Sequence, residues 1–302
     1  MITSEKAMKL IKRYSYVCER YEHELKYLCE RHSNNKVPIF SDEELLTVYI
    51  FCGAEENRRT VVDKHSFARD YLMDRFPKLP SYQTFNTRLN RMGEALKVLS
   101  AELITSFKPE EADDKTSIVD SMPVITCAGR NRQGKVAREI ADKGFCSTKN
   151  LYYYGVKIHL LAHRVKGSIP YPEMISISAA SENDSTVFKR DFVDYLEDKT
   201  VYADKIYQDG PFYQDKRETQ RLELLTPCKA VKGEPLVLKQ RFQAFRDLYS
   251  KAVSIVRQPI ESFFNWLNEK TSIQRANHVR STKGLIVHLM GNITIAFINL
   301  IF

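Results

Sequence analysis

Apolar residues recur at helical spacing along the front of the chain, up to about Phe107, and at strand spacing from Lys115 onward. Leu10, Ile11, Tyr14, Val17, Tyr21, Leu25 and Leu28 predict a helix between Glu5 and His32. Ser41 and Glu44 form an S-x-x-E capping pattern ahead of the apolar run Leu45–Ile50, which predicts a second helix starting at Ser41. A third runs from Thr60 to Phe76 and stops at Pro77, and a fourth starts at Pro80-Ser81 around Phe85, Leu89 and Met92. Beyond the switch, Ser117–Val124 reads as a first strand. Tyr152–Leu161 reads as a second, with Val156, Ile158 and Leu160 on one face and Lys157 and His159 on the other. Met174–Ala179, Thr200–Ala203 and Leu222–Thr226 complete the strands, and a helix capped by Asn183 or Asp184 carries Val187, Phe188, Phe192 and Leu196. Ser254–Leu267 has the pattern of an amphipathic helix. The apolar stretch Leu285–Phe302 contains His288, Asn292, Thr294 and Asn299 and lacks a basic flank, so it reads as a buried helix closing the core rather than a membrane span.

The change of period sets a domain boundary at the polar stretch Pro109–Asp114, with a helical domain over 1–110 and an α/β domain over 115–302. A chain of 302 residues with 43% hydrophobic content can bury one large core beside a smaller helical one. Cys18, Cys29, Cys52, Cys127, Cys146 and Cys228 form no C-x-x-C pair, and charge begins at Glu5 with no apolar leader, so reduced thiols in a cytoplasmic protein are expected. The spacings of structural zinc modules are missing, which disfavours a site built from these cysteines with His159 or His163.

Charge narrows the partners. With 46 Lys+Arg against 38 Asp+Glu, a net charge of +8 and a pI near 9.0, the chain should attract polyanions. The fourth helix presents Gln83, Asn86, Arg88 and Arg91, types that make bidentate contacts to base edges, after a preceding helix and turn. That order fits a helix-turn-helix-like DNA-binding domain; the simpler alternative is a solvated face of a helical bundle. Between the first two strands, Gly129–Arg138 carries Arg130, Arg132, Lys135 and Arg138 on a Gly-punctuated loop that leaves the sheet near Asp120, and DNA backbone contacts are expected there.

Asp120 follows the apolar run Ser117–Val119, Asp204 ends Val201–Ala203 in the same way, and Glu261 lies on the late helix. Two divalent ions roughly 4 Å apart can activate a water or sugar hydroxyl on one side of a phosphodiester and stabilise the leaving oxygen on the other. Mg²⁺ needs hard oxygen ligands and keeps several waters, so two or three carboxylates plus the substrate phosphate suffice. Other acids have simpler explanations. Asp113 and Asp114 belong to the linker and Asp184 to a helix cap. Asp209 sits in the turn Gln208–Pro211, which leaves Asp204 as the better second ligand. Arg257, four residues before Glu261, is expected both to hold that carboxylate, at about 0.5 kcal/mol if exposed, and to contact a DNA phosphate. His159 and His163 lie too far apart on a strand to share an ion.

The order of these elements and four local segments resemble the DDE transposases of bacterial insertion sequences. The segments are Ile118–Val124, Tyr153–Leu160, Ala203–Tyr207 and Arg257–Phe264, and the likeness covers the chain from about 115 to the C-terminus. More narrowly, the chain resembles the insertion-sequence family numbered 982. Where related transposases carry a Tyr three residues before the Arg and a Lys seven after the Glu, this chain has Ser254 and Asn268, with Lys270 nearby. The resemblance implies a ribonuclease H-like mixed sheet flanked by helices, with Asp120, Asp204 and Glu261 as metal-binding catalytic residues. It implies two Mg²⁺ ions, with Mn²⁺ able to replace them, and double-stranded DNA partners at terminal inverted repeats and target. A homodimer or larger assembly on DNA and a cytoplasmic, nucleoid-associated location are further expectations. Two other classes remain: a ribonuclease H-like nuclease without strand transfer, and a transposase-derived DNA-binding regulator that has lost catalysis.

Overall fold

Early helices begin on side chains that cap them. In the computed structural model, which describes residues 2–29, 38–130, 134–147, 149–229, 233–300 and 302, Thr3 caps α1 (Ser4–His23) by accepting from Lys6 N. Ser41 caps α2 (Asp42–Ala54) reciprocally with Glu44: Glu44 N donates to Ser41 Oγ at 3.2 Å and Ser41 N donates to Glu44 Oε2 at 2.6 Å. Thr60 and Ser81 cap α3 (Val61–Tyr71) and α4 (Tyr82–Leu89), and α5 (Gly93–Ser106) follows. The first helix is shorter than its periodicity predicts, because Glu24 leaves helical geometry and a 3-10 turn takes up Leu25–Tyr27. The connection between α3 and α4 spans 72–81, longer than the three- or four-residue turn of a helix-turn-helix.

The later part of the chain forms a six-stranded mixed sheet, curled and flanked by helices. Its elements are β1 (Ala112–Ala128), β2 (Asp142–Cys146), β3 (Leu151–Val165), β4 (Tyr171–Ala179), α6 (Asp184–Asp191), β5 (Thr200–Tyr202), α7 (Gly210–Gln220), β6 (Glu223–Leu225), α8 (Leu236–Arg257) and α9 (Pro259–Thr271). Strand β3 pairs antiparallel with β1 along one edge; β2 lies opposite Leu151–Gly155 and β4 opposite Val156–His163 on the other. Strand β5 is parallel to β1, and β6 is parallel to β5. A Cβ at residue 155 would lie 2.0 Å from the Val124 carbonyl oxygen, so only glycine allows β1 and β3 to approach there. Sequence periodicity found neither β2, whose five residues carry little apolar signal, nor α7, whose one buried residue is Tyr213.

One face of the sheet packs on α6 and α7. Val119, Leu161 and Val201 meet Phe188, Phe192, Tyr207 and Leu222 in a core where each fully buried large side chain contributes roughly 2 kcal/mol. The alternation expected of β3 is incomplete, because both of its faces are covered. Val156, Ile158 and Leu160 are buried, and so are His159, Leu161 and Ala162.

The final helix, α10 (Thr282–Ile298), packs on α2 and α5. Contact is close enough that a Cβ at residue 291 would lie 2.4 Å from the Tyr49 hydroxyl. The chain thus divides into two compact units: Met1–Phe107, Lys135–Glu139 and Leu267–Phe302 form one, and Lys108–Gly134 with Ile140–Trp266 form the other. Among the described residues no helix is long and apolar enough to cross a membrane.

His288 on α10 is held neutral. Its Nε2 donates to the Ile273 carbonyl at 2.8 Å, its Nδ1 accepts from the Asn292 amide at 3.3 Å, and burial pushes its pKa down to about 4. A histidine whose folded pKa lies below its unfolded value contributes stability that is complete above about 6.5 and is lost as pH falls toward 4. In urea unfolding, wild type should therefore lose on the order of 2 kcal/mol more than His288→Gln between pH 7 and pH 4.5. A difference that does not change with pH would show that the ring is not neutral in the fold.

Candidate active site

Strand alternation sends neighbouring residues of β1 to opposite faces, and core and candidate site side chains divide accordingly. Val119 joins the core with α6, whereas Asp120 meets the junction of α8 and α9. Parallel pairing of β1 with β5 matches Thr116 to Thr200, Ser117 to Val201 and Ile118 to Tyr202; it ends there, two residues before Asp120 and Asp204, and the Asp204 charge still reaches Asp120. Asp204 is exposed, and its carboxylate has no hydrogen bond or ion pair among the described residues.

Arg257 ties the third acid to the first. Its Nη1 donates to Asp120 Oδ2 at 2.6 Å and its Nη2 donates to Glu261 Oε1 at 3.1 Å. The predicted single helix over this stretch is two helices, because Pro259 lacks an amide hydrogen; α8 ends at Arg257 and α9 starts on the proline. The arginine Nε is buried and has no partner among the described residues. Its side chain is 17% exposed and that of Asp120 is 22% exposed, whereas Glu261 at 55% reaches solvent.

Burial pushes the Asp120 carboxyl up to about 6. The Arg257 guanidinium and the Ser121 N–H pull it down, and the Asp184 and Asp204 carboxylates push it up again. Asp184 is the residue that sequence reasoning assigned to a helix cap. Asn183 is the cap of α6, accepting from Ser185 N at 2.9 Å, which leaves Asp184 in the first turn. Asp184 accepts from Ser121 Oγ at 2.8 Å and from Lys157 Nζ at 2.7 Å. Tyr207 is buried and its hydroxyl has no partner among the described residues; burial first, then the charges of Asp184, Asp120 and Asp204, raise its pKa. The only sequence signal for these additions was the position of Ser121 and Lys157 on predicted strands. Asp209 caps α7 through Phe212 N at 3.4 Å and pairs with Lys189 at 2.5 Å.

Asp120, Asp204 and Glu261 are hard oxygen donors, and a partly buried carboxylate raised to about 6 beside other carboxylates is an arrangement that a cation would relieve. In chemistry the donor set fits Mg²⁺. In spacing, Asp120 and Glu261 are drawn onto Arg257 while Asp204 stands apart from it, and among the described residues no group of three or more His, Cys, Asp or Glu converges to hold a metal ion.

The expected DNA contacts differ in availability. Gln83 is exposed, and Asn86 and Arg91 are half-buried. Arg88 is occupied within its own unit, donating to the Phe40 carbonyl at 2.6 Å and to Asp42 Oδ1 at 2.5 Å. Arg130 lies over the Tyr152 ring at 5.8 Å, Lys135 and Arg138 are exposed, and Arg132 lies outside the described residues. His159 bonds Ser178 Oγ at 2.8 Å within the sheet.

A curled mixed sheet flanked by helices, with one acid in the middle of β1 and another just past the end of adjacent β5, is consistent with the class of DDE nuclease folds. Residues 111–298 match the transposase DDE domain, and the chain belongs to that family. No curated protein and no solved structure matches the chain. Family membership carries a transposase function in general, with DNA as the partner that it implies.

Because Arg257 lowers the Asp120 pKa, Arg257→Gln should raise the Asp120 titration midpoint above about 6, read by carbon-detected NMR of the carboxyl group. Adding Mg²⁺ should lower the wild-type midpoint. A midpoint indifferent to both changes would remove Asp120 from the site.

Proposed function

We propose that this protein is the DNA transposase of an insertion sequence, of the family numbered 982, acting at Asp120, Asp204 and Glu261. One observation carries the reading: Arg257 links Asp120 to Glu261, and the charge of Asp204, which follows β5, acts on Asp120 as well. The reaction is hydrolysis of a phosphodiester at each element end to free a 3′ hydroxyl, followed by attack of that hydroxyl on a phosphodiester of target DNA. Two Mg²⁺ ions, or Mn²⁺ in their place, would activate the attacking oxygen and stabilise the leaving one.

The chain's own residues prepare that chemistry. Asp120, partly buried and restrained by the Ser121 N–H, offers a fixed oxygen, while exposed Asp204 and Glu261 are free to adjust to the DNA. Arg257 serves as the counter-ion of Asp120 and Glu261 without DNA, and its guanidinium is the group that would meet a phosphate oxygen.

Residues 1–110 form the DNA-binding domain in this reading, with Gln83, Asn86 and Arg91 recognising the terminal inverted repeats. Arg88 holds α4 in place through Asp42. The catalytic domain starts near residue 115, and Arg130, Arg132, Lys135 and Arg138 contact DNA backbone. Two ends joined to one target call for a dimer or larger assembly, working on the nucleoid in the cytoplasm.

The test is a joining assay with the protein, a labelled duplex carrying the element ends, a supercoiled target and Mg²⁺. Wild type should give joined products. Asp204→Ala should reduce them at least a hundredfold, and Asp209→Ala should keep them within a few-fold, since Asp209 serves the α7 cap. Cleavage without joining would replace this reading with a nuclease, and specific binding without any chemistry would replace it with a regulator.

A further inference from the structure

Within the helical unit, α3, α4, the segment 272–281 and α10 enclose a cavity of about 710 Å³, in the size range of sites for small organic ligands. Its lining is cationic. Arg59, Lys64, Arg275 and Arg280 stand against one carboxylate, Asp63, which already accepts the Thr60 hydroxyl at 2.7 Å. Lys64 is 1% exposed, its ammonium lies 4.3 Å from the centre of the Tyr49 ring, and no hydrogen-bond acceptor or carboxylate pairs with it among the described residues. A buried ammonium without an anion is costly, and folding has kept one on the wall of an open cavity. Burial pushes its pKa down to about 8. The N-terminal turn of α3 lines the same space and adds amide donors and the positive end of the helix dipole. Arg275 is exposed and engaged by no ion pair among the described residues, whereas Arg59 and Arg280 donate to backbone carbonyls.

On another wall, Asn86 and Asn90 present amide side chains, each with a donor and an acceptor in the pairing geometry of a base edge. The cavity exceeds what a phosphate alone needs, and the cationic and amide walls divide it between an anion and a polar planar group. We propose that this cavity binds a nucleoside monophosphate unit, with its phosphate on Lys64 and Arg275 and its base against Asn86 and Asn90. The unit is either a free nucleotide or one residue of a DNA strand, and the site stands whether or not the carboxylates of the other unit cut DNA.

Calorimetric titration of the full-length protein with deoxyadenosine monophosphate tests it, with inorganic phosphate as competitor and deoxyadenosine as the ligand without a phosphate. Wild type should bind the monophosphate, lose it to excess phosphate and bind the nucleoside at least tenfold more weakly. Lys64→Met keeps the apolar stem, so it should melt no lower than wild type yet bind the monophosphate at least tenfold more weakly. Arg275→Gln, an exposed change, should weaken binding several-fold. A parallel titration with a 5′-phosphorylated single strand separates the sources: a tenfold loss in Lys64→Met there assigns the site to a DNA strand, and a loss confined to the free monophosphate assigns it to a nucleotide. No binding of the monophosphate to wild type, or equal binding to a folded Lys64→Met protein, overturns the proposal.

Discussion

Strand β1 is hydrogen-bonded on both edges, antiparallel to β3 and parallel to β5, and the candidate site depends on that double constraint. A residue on an edge strand can shift its register, whereas one held between two ladders cannot do so without breaking both. Asp120 is therefore delivered at a fixed height, opposite Leu160 of β3 and two residues beyond the last pair with β5. Gly155 lets β3 close onto β1 at the Val124 carbonyl, and the core of Val119, Phe188 and Tyr207 holds the other face in place. The geometry of the candidate site and the stability of the fold rest on the same strand.

Electrostatics at that strand act in opposition. Burial and two further carboxylates work against ionised Asp120, and the Arg257 guanidinium compensates from the junction of two helices. A partly buried pair of this kind adds little net stability, because desolvation offsets its Coulomb energy, but losing one partner leaves a charge uncompensated. The break at Pro259 matters for the same reason. It sets Arg257 at the end of one helix and Glu261 in the first turn of the next, where a carboxylate is favoured by the helix dipole and the arginine can bridge both acids.

The helical unit shows a similar economy. Arg88, whose type suits base recognition, is used up by Asp42 and the Phe40 carbonyl, while Lys64, which no motif singled out, is buried on a cavity wall. Residue type reports what a side chain can do. Only its neighbours report whether that capacity is already spent.

By itself the sequence determined what acts over a few residues. The Ser41–Glu44 cap started α2 where its pattern said, the switch from helical to strand period separated helices from sheet, and the apolar runs before Asp120 and Asp204 were strands. These signals survive because caps, turns and periodicity are satisfied by neighbours in the chain. Tertiary structure decided the rest: that β3 is covered on both faces so His159 is buried, that Asp184 joins Ser121 and Lys157, and that α10 packs with the first helices. Each depends on partners tens to hundreds of residues away, and burial and strand register are settled only when those partners meet.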